Sequence, residues 1–176
     1  MGYGVIEIVD NKPKAIILGE IDMHKIGDAH QKLRYIFDRV SALVRSYEPT
    51  EVAFESPFFG TNVQSMLKLG RAQGAAITAA VMNGLPVAEY APRKAKIAIC
   101  GNGAASKEQV AMMLQKTLRV DLDPKFLDAT DALAAAYCHY LQMGRPESDK
   151  KYSSWKDFVN KNKDRQTFKT TDARIG

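Results

Sequence analysis

Cysteine and histidine are scarce in this chain: there are two cysteines, Cys100 and Cys138, and three histidines, His24, His30 and His139. They share no zinc-ligand spacing, and so few thiols read as reduced cysteines rather than as a disulfide framework. Cys138 and His139 adjoin on a predicted helix, so their side chains diverge. No run of about 18 apolar residues is present, which excludes a membrane-spanning helix of the usual kind. The first residues lack the basic-then-apolar pattern of a secretory signal, and a cytoplasmic protein is the expectation. Acidic residues are also scarce in one stretch. Residues 56–119 hold 8 Lys/Arg against 2 Asp/Glu, a net +6.

That stretch lies between acidic flanks. Residues 1–55 carry 7 basic against 9 acidic side chains, and residues 120–144 carry 1 against 4. Residues 145–176 add 9 against 5, in a polar segment without apolar periodicity that reads as a flexible basic tail. A basic surface beside an acidic pocket suits a polyanionic partner, whose phosphates lysine and arginine hold. Solvated helix faces are the plainer explanation of such blocks.

Along the chain, Gly2–Val9 reads as a strand that Asp10–Pro13 turns into a second, Ala15–Gly19. Asp28 is placed to cap a helix reaching Tyr47, with an apolar stripe through Leu33, Ile36, Phe37, Val40 and Val44. A strand Glu51–Glu55, a helix Asn62–Met82, a strand Pro86–Tyr90 and a short helix Arg93–Ile99 follow. The box Ser106-Lys-Glu-Gln109 opens another helix, and the last runs Leu127–Met143. The order ββ-α-β-α-β-α-α-α mixes antiparallel and parallel pairing and defines an α/β fold. Gly70 and Gly74, followed by Ala75, Ala76, Ala79 and Ala80, make one helix thin. Close packing on the sheet is the first reading of that face and a two-fold interface the second.

Three carboxylates stand out. Glu55 ends a buried-type strand, where open α/β sheets place ligands. Asp128 and Asp131 are three residues apart, so both project from one face of a helix's first turn. Hard divalent cations favour such clustered oxygens, and in-line phosphoryl displacement uses two ions roughly 4 Å apart. A capping role for the aspartates is the alternative. Phe58 and Phe59 after Pro57 are either loop staples or, for Phe58, a wedge between base steps.

Taken in order, Gly2-Tyr-Gly-Val, Val52-Ala-Phe-Glu-Ser-Pro-Phe-Phe, Leu69-Gly-Arg-Ala-Gln-Gly74, Glu89-Tyr-Ala-Pro-Arg-Lys-Ala-Lys96, Gly101-Asn-Gly-Ala-Ala-Ser-Lys107 and Asp128-Ala-Thr-Asp-Ala-Leu-Ala134 resemble the RuvC family of Holliday-junction resolvases. The resemblance covers residues 1 to about 143. It implies a ribonuclease-H-like nuclease domain over residues 1–144, a mixed sheet flanked by helices. It further implies a homodimer that cuts four-way DNA junctions with Mg²⁺ (two ions per site, Mn²⁺ substituting) beside a RuvA- and RuvB-type branch-migration complex. Glu55, Asp128 and Asp131 match the family's catalytic metal ligands. Phe58, Lys96 and Lys107 match residues along its DNA path, and Arg71 and Arg93 belong to the same basic block. One departure concerns the start. The family places a strand of the Leu-Gly-Ile-Asp-Pro-Gly type before Gly-Tyr-Gly-Val, and its Asp is the central ligand. Met1 stands directly before that stretch here. The expectations are a natural start upstream, a central strand missing from the sheet, and a chain from Met1 that does not cut. Junction binding without catalysis and cleavage of RNA are the rival functions.

Overall fold

The structure is a computed structural model and describes residues 1–56, 62–122 and 127–143. Phe58, Phe59 and the tail 145–176 lie outside the described residues. The elements are β1 (Gly2–Val9), β2 (Lys12–Glu20), α1 (Ala29–Tyr47), β3 (Val52–Glu55), α2 (Val63–Met82), β4 (Val87–Tyr90), α3 (Pro92–Cys100), α4 (Lys107–Leu118) and α5 (Leu127–Gln142). Their order is the one expected.

β1 and β2 form an antiparallel hairpin whose turn is shorter than the sequence suggests. Asp10 and Asn11 both take positive φ, 51° and 58°. That left-handed pair matches the strand twist and closes a two-residue loop, so Lys12 and Pro13 join the strand. Pro13 is tolerated because β2 has no further strand beside it among the described residues. The register slips between Val5 and Ile6, leaving Ile16 as the extra residue of a bulge. β3 and β4 pair in parallel from Val52–Val87 to Glu55–Tyr90. Two further bonds extend the ladder, Val52 N–H to Pro86 O and Ser56 N–H to Tyr90 O, each 2.9 Å.

The two ladders share no hydrogen bonds with each other, so the described strands form two two-stranded sheets rather than one continuous sheet. This is the interruption expected of the sheet. What joins them is α5, which packs against all four strands and against α3 and α4. Its inner face is Ala129, Thr130, Leu133, Ala134, Ala135 and Cys138, all buried. Leu133 and Cys138 are completely enclosed, together with Ile36 of α1 and Leu114 and Leu118 of α4. The core therefore belongs to the helices, and Tyr90 is the one buried strand residue among those described.

Alternate residues of β1 face α5, and two of them are glycines. A Cβ at Gly2 would run into the backbone of Asp128, and one at Gly4 would lie 3.2 Å from Leu133 Cα. Gly2 and Gly4 thus let the strand meet the helix backbone directly. The glycines of α2 behave differently. A Cβ at Gly70 or Gly74 would meet nothing within 4 Å. Packing on the sheet is therefore not their role. Ala76, Ala79 and Ala80 supply the buried face of α2, which lies on α1. The Gly70/Gly74 face is open, in line with exposed Val63, Leu67 and Val81.

Candidate active site

Glu55 is the last residue of β3 and sits opposite Tyr90 in the ladder. Asp128 occupies the first turn of α5, where the helix dipole favours negative charge, and Asp131 follows at the start of the second turn rather than in the first as expected. Asp128 is inside the helix rather than its cap. Lys107 opens α4, held there by a reciprocal box. The Ser106 hydroxyl accepts from Gln109 N–H while the Gln109 side chain accepts from Ser106 N–H. Arg93 and Lys96 lie on α3, which begins with Pro92 and ends at Gly101 with φ 71°.

Glu55, Asp131, Lys96 and Lys107 line one cavity of about 160 Å³, with Tyr90, Ala95, Val110 and Ala134 as its less polar wall. The Lys107 ammonium donates to Asp131 Oδ2 at 2.8 Å. That bond is the main reason the Lys107 pKa rises, with the charges of Asp131, Glu55 and Asp128 adding to it against an opposing effect of burial. The Glu55 pKa is raised, first by burial and then by the charge of Asp131, with Lys107 and Lys96 opposing and Asp128 adding a smaller push. Four charges in one small volume are thus mutually coupled. Asp128 is not on the cavity lining. Its Oδ2 lies 3.4 Å from the Met1 amino group.

The three expected ligands are therefore brought together in part. Glu55 and Asp131 share the cavity and Asp128 acts on it through its charge. Among the described residues no three His, Cys, Asp or Glu side chains converge as metal ligands do. The donor chemistry nonetheless fits a hard divalent cation. The candidate ligands are carboxylate oxygens, and Glu55 is held above its usual pKa in part by neighbouring carboxylates, a repulsion that added positive charge relieves.

Of the basic residues, Lys96 and Lys107 are at the cavity and Arg93 is exposed beside it. The Arg93 side chain runs across Gly103, where a Cβ would come within 2.8 Å of its Cγ and 3.0 Å of its Nε. Gly103 is thus small so that Arg93 can lie over it. Arg71 is exposed on α2 and not on the cavity lining. Sequence reasoning missed Tyr90, which forms cavity wall and carries the Lys94 ammonium 4.9 Å from its ring centroid.

A mixed α/β fold with an acidic pair at a strand end and helix start, ringed by lysines, defines the class as a ribonuclease-H-like nuclease. The family model for the crossover junction endodeoxyribonuclease RuvC matches residues 1–139. RuvC of Bacteroides fragilis is 58% identical over 167 residues, covering 94% of this chain and 89% of that protein. RuvC of Porphyromonas gingivalis is 49% identical over 170 residues, covering 94% and 90%. The solved Thermus thermophilus RuvC structure superposes with a TM-score of 0.72 at 30% identity, over 80% of this chain and 87% of that one. Thermus thermophilus RuvC in complex with Holliday junction substrate gives 0.71 at 28% identity, over 80% and 86%. The chain belongs to the RuvC family of crossover junction endodeoxyribonucleases.

Proposed function

We propose that this chain belongs to a structure-selective endonuclease that resolves four-way (Holliday) DNA junctions by paired, symmetric, magnesium-dependent cleavage, acting as a cytoplasmic homodimer in recombination and repair. The observation that carries the reading is the acidic pair Glu55 and Asp131 set in one cavity with Lys96 and Lys107. A relative of the same fold is seen with Holliday junction substrate. Among the described residues no helix is long and apolar enough to cross a membrane.

Glu55 and Asp131, with Asp128, would hold Mg²⁺, and Mn²⁺ would substitute. Such ions would supply activation of water and charge neutralisation at the phosphate. The chain's own residues do the rest. Lys96 and Lys107 present ammonium groups to the non-bridging phosphate oxygens, and Lys107 fixes one Asp131 oxygen while doing so. Ala95, Val110 and Ala134 form an apolar wall that limits water at the reacting phosphate. Arg93 and Arg71 extend the basic track away from the cavity, and Phe58 is assigned the wedge at the junction centre.

Two cuts related by symmetry require two sites related by symmetry. The face of α2 through Val63, Leu67, Gly70, Gly74 and Val81 is exposed and self-complementary in kind, small beside large, and suits a second copy across a two-fold axis. A RuvA- and RuvB-type complex is the partner the family implies.

A second reading, junction binding without cutting, is favoured by the ion pair of Lys107 with Asp131, which engages one of the candidate metal ligands. Cleavage assays with Mg²⁺ on four-way junctions, linear duplex and RNA–DNA hybrid separate these readings. Glu55→Gln, Asp128→Asn and Asp131→Asn are each expected to abolish junction cleavage and leave junction binding intact, because they remove metal ligands and no phosphate contact. Binding lost in step with cleavage would sink the assignment.

A further inference from the structure

Tyr90, His139 and Glu51 form a hydrogen-bonded chain that none of the roles above uses. The Tyr90 hydroxyl lies 2.7 Å from His139 Nδ1, and His139 Nε2 lies 2.6 Å from Glu51 Oε2. Direction follows from the chemistry of the groups. With Nε2–H donating to the Glu51 carboxylate, the tautomer that completes the chain accepts at Nδ1 from the Tyr90 O–H. Tyr90 is suited to donating, because burial first, then the charges of Cys138 and Glu51, push its pKa up and keep the proton on the hydroxyl. The two rings also touch, with centroids 5.7 Å apart.

The chain ties together the elements that carry the carboxylates. Tyr90 ends β4 opposite Glu55, and its carbonyl accepts from Ser56 N–H at the end of β3. Glu51 immediately precedes β3. His139 is on α5, eight residues beyond Asp131, which is about two turns along the same face. Between them α5 offers this cavity only Ala134 and Ala135, side chains too small to interlock with the strands. Such small side chains interlock weakly, so a strut bonded at both ends adds a fixed position along the helix to the packing that Cys138 makes with Tyr90.

We propose that His139 is a positioning residue for the nuclease site: bonded to Tyr90 and Glu51, it fixes α5 along the β3–β4 pair and so sets the separation of Glu55 and Asp131 across the cavity. The inference rests on the reading of those carboxylates as magnesium ligands. Groups that support metal ligands typically change metal affinity by about 10- to 100-fold when removed, and a displacement of about 1 Å costs a comparable factor in rate.

The test uses the full chain with His139→Phe, Tyr90→Phe and their double variant, with Glu55→Gln as reference. Mg²⁺ is titrated into junction cleavage, Mn²⁺ binding is measured by calorimetry without DNA, and junction affinity is measured in EDTA. Tyr90→Phe keeps the ring and removes only its hydroxyl bond, and His139→Phe keeps an aromatic side chain and removes both bonds. Both are expected to raise the half-saturating metal concentration about tenfold in both titrations, with junction affinity unchanged. The double variant is expected to be no worse than the more affected single one, since the same chain is already cut. Glu51→Gln, whose amide oxygen still accepts from Nε2–H, is expected to retain more metal affinity than Glu51→Ala. Imidazole ¹⁵N NMR is expected to show the Nε2–H tautomer. Unaltered metal dependence with only a lower Tm would reduce the chain to ordinary packing and overturn the proposal, as would an Nδ1–H tautomer. Failure of the underlying reading is separately visible, since Glu55→Gln would then bind Mn²⁺ as the parent does.

Discussion

Glu55 bears on stability as well as on chemistry. Burial, and next the charge of Asp131, hold its pKa above the ordinary value of 4.5. A carboxyl group whose folded pKa exceeds its unfolded one favours the folded state while protonated. That contribution is complete below the unfolded pKa and is lost as pH rises through the folded one. Glu55→Gln, neutral at every pH, is therefore expected to melt above the parent at about pH 7.5 in EDTA, with the gap closing as pH falls to about 4. Calorimetric melting across that window checks it, and equal Tm values throughout would remove Glu55 from the coupled cluster. Lys107 follows the same sign at higher pH, since its raised pKa stabilises the fold at neutral pH and that contribution is lost only as the solution becomes strongly alkaline. Glu55 and Asp131 were legible in the sequence because a strand end and a helix start announce them, whereas Lys96 and Lys107 came from the family resemblance. Tyr90, His139 and Glu51 were not. Their bonds span 49 and 88 residues, and no local period reports a contact of that range.

Helices were the most legible elements, because their ends carry their own chemistry. Asp28 accepts from Gln31 N–H, Asn62 from Ser65 N–H and Ser106 from Gln109 N–H, each at the boundary where a cap was expected or one residue from it. Strand existence was equally readable, but pairing was not, since alternation says which face is apolar and not which strand lies alongside. The turn at Asp10–Asn11 was overestimated because Pro13 signals a break, and an unpaired strand edge suppresses that signal. Of the two readings of the α2 glycines, packing on the sheet finds no neighbour among the described residues, since small residues permit a close approach without naming what approaches. Their open face yields a prediction. Gly74→Leu is expected to leave the fold intact, because a Cβ there meets nothing within 4 Å among the described residues, while shifting the protein from dimer to monomer. Sedimentation velocity reads the shift. A dimer that survives the substitution places the two-fold contact on another face.

For the whole molecule, the sequence anticipated a sheet interrupted between the first hairpin and the Glu55 strand. It gave no sign that one helix would hold both halves. α5 touches every described strand, while β1–β2 and β3–β4 exchange no hydrogen bonds. Cooperativity between the halves must then pass through side-chain packing on α5, which is weaker in register than a shared ladder. The amides of α5 near Leu133 and Cys138 are expected to exchange with deuterium only through global unfolding, whereas those of β1–β2 exchange through a separate, lower-energy opening. Mass-resolved exchange measures both, and one common rate for all would show a single unit. The molecule should therefore come undone in an order, hairpin first and axle last. A damaged hairpin leaves the Glu55 ladder seated, and a damaged α5 releases both at once.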